Sequence, residues 1–201
     1  KVVRTFGGEY TTKNILFCTG AAPRMLGVPG EDRLRGKGVS YCATCDGAFF
    51  RNKKTAVIGG GDTAVSDAIY LSALCQEVFL IHRRDRLRAA DYLCKQVREI
   101  EGEERVSSLL VSDTEGQEKR LEVAGAFIAV GIQPNSGLLK GKVDTDSAGY
   151  ILTNDHMETS IRGVYAAGDV RKKFLRQIIT AAADGAVAAH FADHYLATQA
   201  P

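Results

Sequence analysis

Residues 54–64 read KTAVIGGGDTA: an apolar strand-like run, three glycines and the start of a helical pattern. This is the G-x-G-x-x-A turn of a dinucleotide-binding unit, in which Gly59 makes the tight turn and Gly61 admits a pyrophosphate. Ala64 allows close packing of helix on strand. The helix N-terminus then offers free N–H groups to phosphates. A plain strand-to-helix turn is the alternative. The predicted binding residues here are Gly59, Gly60, Gly61, Asp62, Thr63 and Ala64.

An arginine cluster follows the next predicted strand, residues 77–81. An NAD site places an Asp or Glu about 20 residues beyond the glycine turn, where its carboxylate binds the ribose 2′-hydroxyl. This chain instead has His82, Arg83, Arg84 and Arg88. Guanidinium groups pair well with a 2′-phosphate, so the cluster predicts NADPH rather than NADH. The alternative is a solvated basic face, which is the usual position of a charge run.

Two thiols three positions apart, Cys42 and Cys45, precede the glycine turn. Their spacing suits a reversible disulfide, and Asp46 is placed to donate or accept the proton that dithiol exchange requires. Three alternatives stay open. A zinc site would need two further ligands, the cysteines could be inert core residues, and Asp46 could be a helix cap. We favour a redox pair and expect no metal site.

Composition narrows the class of protein. The chain has 201 residues, 45% hydrophobic and 25% charged, with a formal net charge of +2. That balance gives no reason to expect binding to nucleic acid or to a membrane. Five cysteines are too few and too uneven for a secreted disulfide framework. One catalytic dithiol in a reducing cytoplasm fits better.

Apolar periodicity predicts the remaining elements. A βαβ unit comprises a strand at 55–58, a helix at 62–74 and the strand at 77–81. A second helix is predicted at 89–99, a hairpin with strands at 106–111 and 119–123, and a buried strand at 126–130. An N-terminal hairpin pairs strands at 2–6 and 14–18. A strand at 164–169 and a helix at 177–196 complete the prediction.

Several motifs, taken together and in order, resemble the low-molecular-weight thioredoxin reductases. They are CATCDG at 42–47, GGGDTA at 59–64, HRRD at 82–85, GVYAAGDV at 163–170 and RQ at 176–177. The resemblance implies an α/β fold of two Rossmann-like dinucleotide-binding domains, each a three-layer ββα arrangement. Residues 24–131 would form the NADPH-binding domain with the dithiol. Residues 1–23 and 132–201 would form a discontinuous and incomplete FAD-binding domain.

The resemblance also implies roles for individual residues. Asp169 would contact the ribityl chain of FAD, Gln177 the isoalloxazine edge, and Thr19 and Gly20 the adenine half. The implied FAD-binding set is Thr19, Gly20, Gly168, Asp169, Arg176, Gln177 and Ile178. The 2′-phosphate of NADPH would be held by Arg83, Arg84 and Arg88.

The dithiol has implied roles as well. Cys45 would lie nearer the flavin and Cys42 would attack thioredoxin. Phe49 and Phe50 would be exposed contacts for thioredoxin. A homodimer is expected, as is usual in the family.

Two departures from the family pattern matter. The first glycine motif, which binds the FAD pyrophosphate, is absent, and the family has an extra strand where this chain runs directly from Glu99 to Gly102. We therefore expect a fragment with an internal gap. The predicted function is NADPH-dependent reduction of thioredoxin disulfide through FAD. The alternatives are the reductase component for a peroxiredoxin and a flavin-free NADPH-binding fragment without turnover.

Overall fold

The computed structural model describes residues 1–83, 96–113 and 115–198. The strands are β1 (Val2–Thr5), β2 (Gly8–Thr11), β3 (Ile15–Phe17), β4 (Ala21–Pro23), β5 (Val39–Ser40), β6 (Lys54–Ile58), β7 (Glu77–Ile81), β8 (Gln96–Glu101), β9 (Ser108–Ser112), β10 (Glu118–Glu122), β11 (Gly125–Ile128), β12 (Ile132–Pro134) and β13 (Val164–Ala166). The α-helices are α1 (Ala43–Asp46), α2 (Asp62–Ser72) and α3 (Ile178–Thr198). Single 3-10 turns lie at Gly47–Phe50, Gly137–Leu139 and Gly168–Val170.

The chain divides into two compact units. The central unit is Pro23–Gly131, and the split unit joins Lys1–Ala22 to Ile132–Pro201. Their boundaries lie close to those expected for the two domains. Which dinucleotide each unit binds stays a prediction.

The central unit is built on a parallel sheet with the strand order β5-β11-β6-β7. Helix α2 connects β6 to β7, which pair in parallel from Lys54 opposite Glu77 to Ile58 opposite Ile81. An antiparallel meander, ordered β10-β9-β8, supplies a further layer. Because β11, β6 and β7 are mutually parallel, their carboxyl ends all lie at the same edge of the sheet.

Alternation along the central strands divides the core in two. Ala56 and Ile58 face one way and pack with the buried residues of the meander, which include Ile100 and Leu109. Val57 faces the other way and packs with Phe127 and with the helical residues Ala43, Ala64 and Leu71. The unit is therefore a meander, a sheet and a helical layer.

In the split unit, β13 pairs in parallel with β3, with Tyr165 opposite Leu16. Consecutive residues of β13 pack into two different cores. Ala166 packs with Ile151 and Val170, whereas Tyr165 packs with Ala188 of α3. Across the described residues of both units, no helix has the length and apolar character needed to cross a membrane.

The N-terminal hairpin differs from the predicted one. β1 pairs with β2 through a short turn, with Thr5 opposite Gly8 and Val2 opposite Thr11. The predicted second strand, residues 14–18, instead contains β3, which pairs with β13. A tight turn closes the hairpin early, and the more buried run at Ile15–Phe17 is left to pair within the core of the unit.

The second predicted helix is wrong over residues 96–99, where the chain forms β8. Val97 and Ile100 lie three residues apart, which suggests a helix, and both are buried. The register of β8 against β9 shifts between Val97 and Glu99. A β-bulge adds one residue to one strand and so lets both apolar side chains face the same core. The remainder of that prediction, residues 89–95, lies outside the described residues.

Asp67 of α2 is half-buried, and this burial raises the pKa of its carboxyl above the ordinary 3.8. The charged form of such an acid costs stability above the folded pKa, and the cost vanishes once the pH falls below the unfolded pKa. We therefore expect Asp67→Asn to raise the free energy of unfolding at pH 7, with no gain near pH 3. Urea denaturation at both pH values measures this, and a less stable variant at pH 7 would contradict it.

Candidate functional site

The glycine turn connects β6 to α2, and a side chain would have different surroundings at each of its three glycines. Gly59 has φ 158°, and a side chain there would collide with the Ala129 carbonyl and the Ala64 methyl group. A side chain at Gly60 would collide with the His82 ring. The space in front of Gly61, the N-cap of α2, is open. The N-terminus of the 11-residue helix α2 therefore faces open space that an anionic ligand could enter.

A cavity of about 550 Å³ lies at the carboxyl ends of β6, β7 and β11. Ligands of open α/β sheets bind outside the carboxyl ends of the strands. The glycine turn and Thr63 form one part of the wall, while His82 and Arg83 form another. Arg84 and Arg88 lie outside the described residues, so their place at this cavity stays a prediction.

Cys42 and Cys45 form a disulfide, with 5.3 Å between their Cα atoms. Cys42 is the N-cap of α1, and its sulfur accepts a hydrogen bond from the Cys45 backbone N–H at 3.2 Å. Cys42 is half-buried and Cys45 is exposed. With both sulfurs joined to each other, the pair has the form expected of an oxidised redox couple.

Ser40 organises the loop before the disulfide. Its hydroxyl donates to Asp46 Oδ2 at 2.6 Å and accepts from the Cys42 backbone N–H at 3.1 Å. Asp46 occupies the N-cap position of the 3-10 turn Gly47–Phe50, but its side chain makes no capping hydrogen bond there. The carboxylate is instead tied through Ser40 to the backbone of the first cysteine.

Thr19 and Gly20 lie directly after β3 in the split unit. The Thr19 hydroxyl donates to the Asn135 carbonyl at 2.7 Å, and the Asn135 amide returns a hydrogen bond to the Thr19 carbonyl at 2.9 Å. The Asn135 N–H also donates to the Gly20 carbonyl at 2.9 Å. Because its hydroxyl is used within the protein, Thr19 holds the turn together through that group.

The stretch 168–178 carries the other residues that the resemblance assigns to FAD. Asp169 Oδ1 and Arg176 Nε are buried with no hydrogen-bond partner within the described part of the chain. A buried polar atom left unpaired costs about 1–3 kcal/mol. These two atoms therefore fit a ligand that brings its own polar groups. Ile178 is 90% exposed at the start of α3.

Asp184 of α3 holds this turn in place. Its buried Oδ2 accepts hydrogen bonds from the Gly168 backbone N–H at 3.1 Å, Arg171 Nε at 3.1 Å and Lys173 Nζ at 2.7 Å. Lys173 is itself nearly buried. One carboxylate thereby fixes both ends of the segment that carries Asp169.

The comparison with protein families matches residues 1–185 to the pyridine nucleotide-disulphide oxidoreductases. Two curated sequences, both thioredoxin reductases, are each 44% identical over 98% of this chain: one from Peptoclostridium acidaminophilum, of which the chain covers 69%, and one from Treponema pallidum, of which it covers 68%. The chain belongs to the thioredoxin reductases of this family.

Solved structures agree. The thioredoxin reductase of Streptococcus pyogenes superimposes with a TM-score of 0.91 at 45% identity, covering 98% of this chain and 70% of that one. The enzyme of Giardia duodenalis gives a TM-score of 0.87 at 33% identity, with 96% and 69% covered. The expected family and the two-part α/β fold are confirmed. The chain spans about 70% of the length of these thioredoxin reductases.

The first alignment runs over 217 residues, more than the 201 residues of this chain. That thioredoxin reductase therefore has residues, within the aligned region, that have no counterpart in this chain. An internal gap in this chain would produce such a difference.

The expectation that Phe49 and Phe50 are both exposed is half wrong. Phe49 is 74% exposed, but the ring of Phe50 packs edge-on against Phe127 with 5.2 Å between centroids. Gly125, two residues before Phe127 on the same strand β11, leaves room for the Phe50 ring. Burial of one ring in the core leaves Phe49 as the exposed aromatic of this reductase's dithiol loop.

Sequence reasoning missed three residues that hydrogen-bond to the predicted site residues of this thioredoxin reductase: Ser40, Asn135 and Asp184. Each of them accepts a hydrogen bond from a predicted site residue or donates one to it. A polar residue two positions before the first cysteine, and a buried acid in an alanine-rich helix, were the available signals. The predicted residues of the dithiol and glycine turn come together in the central unit, and those assigned to FAD lie in the split unit.

Proposed function

We propose that the chain is the catalytic part of a thioredoxin-disulfide reductase that passes electrons from NADPH through FAD to Cys42–Cys45 and on to thioredoxin. The observation that carries the proposal is the disulfide in the same compact unit as a glycine turn with an open helix N-terminus. Relatives at 43–44% identity over 98% of the chain are named for this activity.

The central unit would bind NADPH at the cavity beside the glycine turn. The N–H groups at the start of α2 would receive the pyrophosphate. Arg83, Arg84 and Arg88 would hold the 2′-phosphate, since guanidinium groups bind phosphate oxygens in bidentate geometry. His82 would keep its ring against Gly60 and so shape the wall of the cavity.

The split unit would bind FAD through Asp169, Arg176 and the residues around them. Their unpaired buried atoms fit its polar groups. Gly168, Gln177, Ile178, Thr19 and Gly20 complete the proposed contacts. When bound, FAD supplies hydride acceptance from NADPH and two-electron delivery to a disulfide.

The reduced dithiol would act by thiol–disulfide exchange. The Cys42 thiolate attacks a thioredoxin sulfur to form a mixed disulfide, and Cys45 then attacks Cys42 to release reduced thioredoxin. Asp46 would give and take the proton through its carboxylate, which Ser40 orients at 2.6 Å. Phe49, beside Lys37, Lys53 and Arg105 around a cavity of about 460 Å³, would contact thioredoxin.

Assembly is a separate part of the proposal. The homodimer usual in the family stays a prediction, and light scattering after size-exclusion chromatography tests it. The reaction itself is tested by following NADPH consumption with oxidised thioredoxin. A flavin absorption band with turnover supports the proposal, whereas NADPH binding without either favours the flavin-free alternative.

Cofactor preference gives a direct test of the arginines. Each charge-assisted hydrogen bond to the 2′-phosphate is expected to contribute about 1.5–3 kcal/mol, so NADP⁺ should bind far more tightly than NAD⁺. Replacing Arg83 and Arg84 together by alanine should remove most of this difference. Calorimetric titration of both nucleotides measures it, with Arg51→Ala as the control. Equal affinity of the unmutated chain for both nucleotides would refute the assignment.

A further inference from the structure

The cavity beside the glycine turn has a wall that the assigned motifs do not account for. Residues 24–28, the connector that begins the central unit, contribute Arg24, Met25, Leu26 and Val28 to it. Arg24 is exposed, and none of the described residues forms an ion pair with it. It is therefore a free cation at a cavity proposed for a polyanionic ligand.

The backbone position of Arg24 is set by the last residue of the unit. Its N–H donates to the Gly131 carbonyl at 2.9 Å. A Cβ built on Gly131 would lie 3.5 Å from Arg24 Cδ and 3.8 Å from Nε. The arginine side chain thus runs along the bare backbone of Gly131, just beyond the end of β11.

A buried carboxylate fixes the connector from the other side. Glu31, 2% exposed, accepts hydrogen bonds from the Leu26 N–H at 3.0 Å and the Gly27 N–H at 2.8 Å. It also accepts one from the Tyr41 hydroxyl at 2.8 Å. The segment that carries Arg24 is therefore held before any ligand binds, so little ordering is required on binding.

The order of the strands indicates which part of a bound dinucleotide would lie next to Arg24. Arg83 follows β7, the glycine turn follows β6, and Gly131 follows β11, and these strands are neighbours in the order β11-β6-β7. Neighbouring strands lie about 4.8 Å apart, so Arg83 and Gly131 are separated by about two strand spacings. A dinucleotide with its 2′-phosphate at Arg83 and its pyrophosphate at the glycine turn must extend toward β11.

We infer that Arg24 binds the nicotinamide-side phosphate of NADP(H), an inference that rests on the proposed function of the cavity. The guanidinium donates to that phosphate from the β11 side of the cavity, where the Arg24 side chain runs along Gly131. Arg24 is thus a binding residue for the nicotinamide half, while Arg83 serves the adenosine half.

The test compares two ligands that differ by that half. NADP⁺ carries the nicotinamide-side phosphate, and 2′,5′-ADP lacks it but keeps the 2′-phosphate and the adenosine-side phosphate. Calorimetric titration of the full chain should show that Arg24→Ala raises the Kd for NADP⁺ about tenfold, as for one exposed charge-assisted hydrogen bond. The Kd for 2′,5′-ADP should stay within about twofold. Arg24→Lys should recover part of the loss, and Arg51→Ala should change neither value.

Three outcomes would overturn the inference, and two further variants or measurements serve as controls. Equal weakening of both ligands by Arg24→Ala would place its effect on the adenosine half or on the fold, and no change in either would remove it from the site. Arg83→Ala should weaken both ligands. If 2′,5′-ADP fails to bind the unmutated chain, the NADP(H) site itself is wrong and the inference fails with it. An unchanged thermal unfolding midpoint of Arg24→Ala excludes misfolding.

Discussion

Replacing Cys42 with serine should lower the rate of thioredoxin reduction by more than about 10³-fold, because a hydroxyl cannot form the mixed disulfide. Oxidation of NADPH by an artificial acceptor that takes electrons from flavin should persist in the flavin-loaded enzyme. The two rates therefore separate the dithiol step from the steps before it. Both are measured with the same preparation by following NADPH absorbance.

The matched control is Cys75→Ala. Cys75 is a free, half-buried thiol that packs beside the buried cluster of α2 and is not part of the disulfide. Its loss should leave both rates nearly unchanged. Normal thioredoxin turnover in Cys42→Ser would show that electrons leave the enzyme by a route without this sulfur.

Replacing Asp184 with alanine should cost about 3–5 kcal/mol of stability in the split unit, because it leaves the partners of a buried ion pair uncompensated. Arg171 and Lys173 both contact its carboxylate and are both largely buried. The Gly168 N–H loses its acceptor as well. Urea denaturation followed by far-ultraviolet circular dichroism measures the effect.

Asp193→Ala is the control, since Asp193 lies exposed on the same helix. It should shift the free energy of unfolding by no more than about 0.5 kcal/mol. Adding Lys173→Met to Asp184→Ala should restore part of the loss, because one buried charge is then removed. Equal stability of the Asp184 and Asp193 variants would show that the carboxylate does not hold the turn.

Strongly periodic stretches were predictable from sequence. The strand at 77–81 has the predicted bounds, and the helices at 62–74 and 177–196 match α2 and α3 closely. In each, neighbouring residues along the chain carry the whole signal. The strand at 96–101 was not predictable in this way, since its bulge imitates helical spacing.

The organisers of the sites were beyond local reasoning for a different cause. Asn135 bonds to Thr19 across 116 residues, and Asp184 bonds to Gly168 across 16. The tertiary fold brings such partners together. The local sequence around a backbone group does not indicate which distant side chain will hydrogen-bond to it. Motif residues were found because their chemistry is local. The residues that position them have to be found in three dimensions.

The hydrogen bond from the Cys45 N–H to the Cys42 sulfur has a consequence for repeated turnover. That bond uses the sulfur atom and not the S–S bond, so we expect it to remain when the two sulfurs separate. The first turn of α1 would then keep its cap whether the pair is open or closed. Each catalytic cycle would break and re-form one covalent bond with little rearrangement of the surrounding backbone.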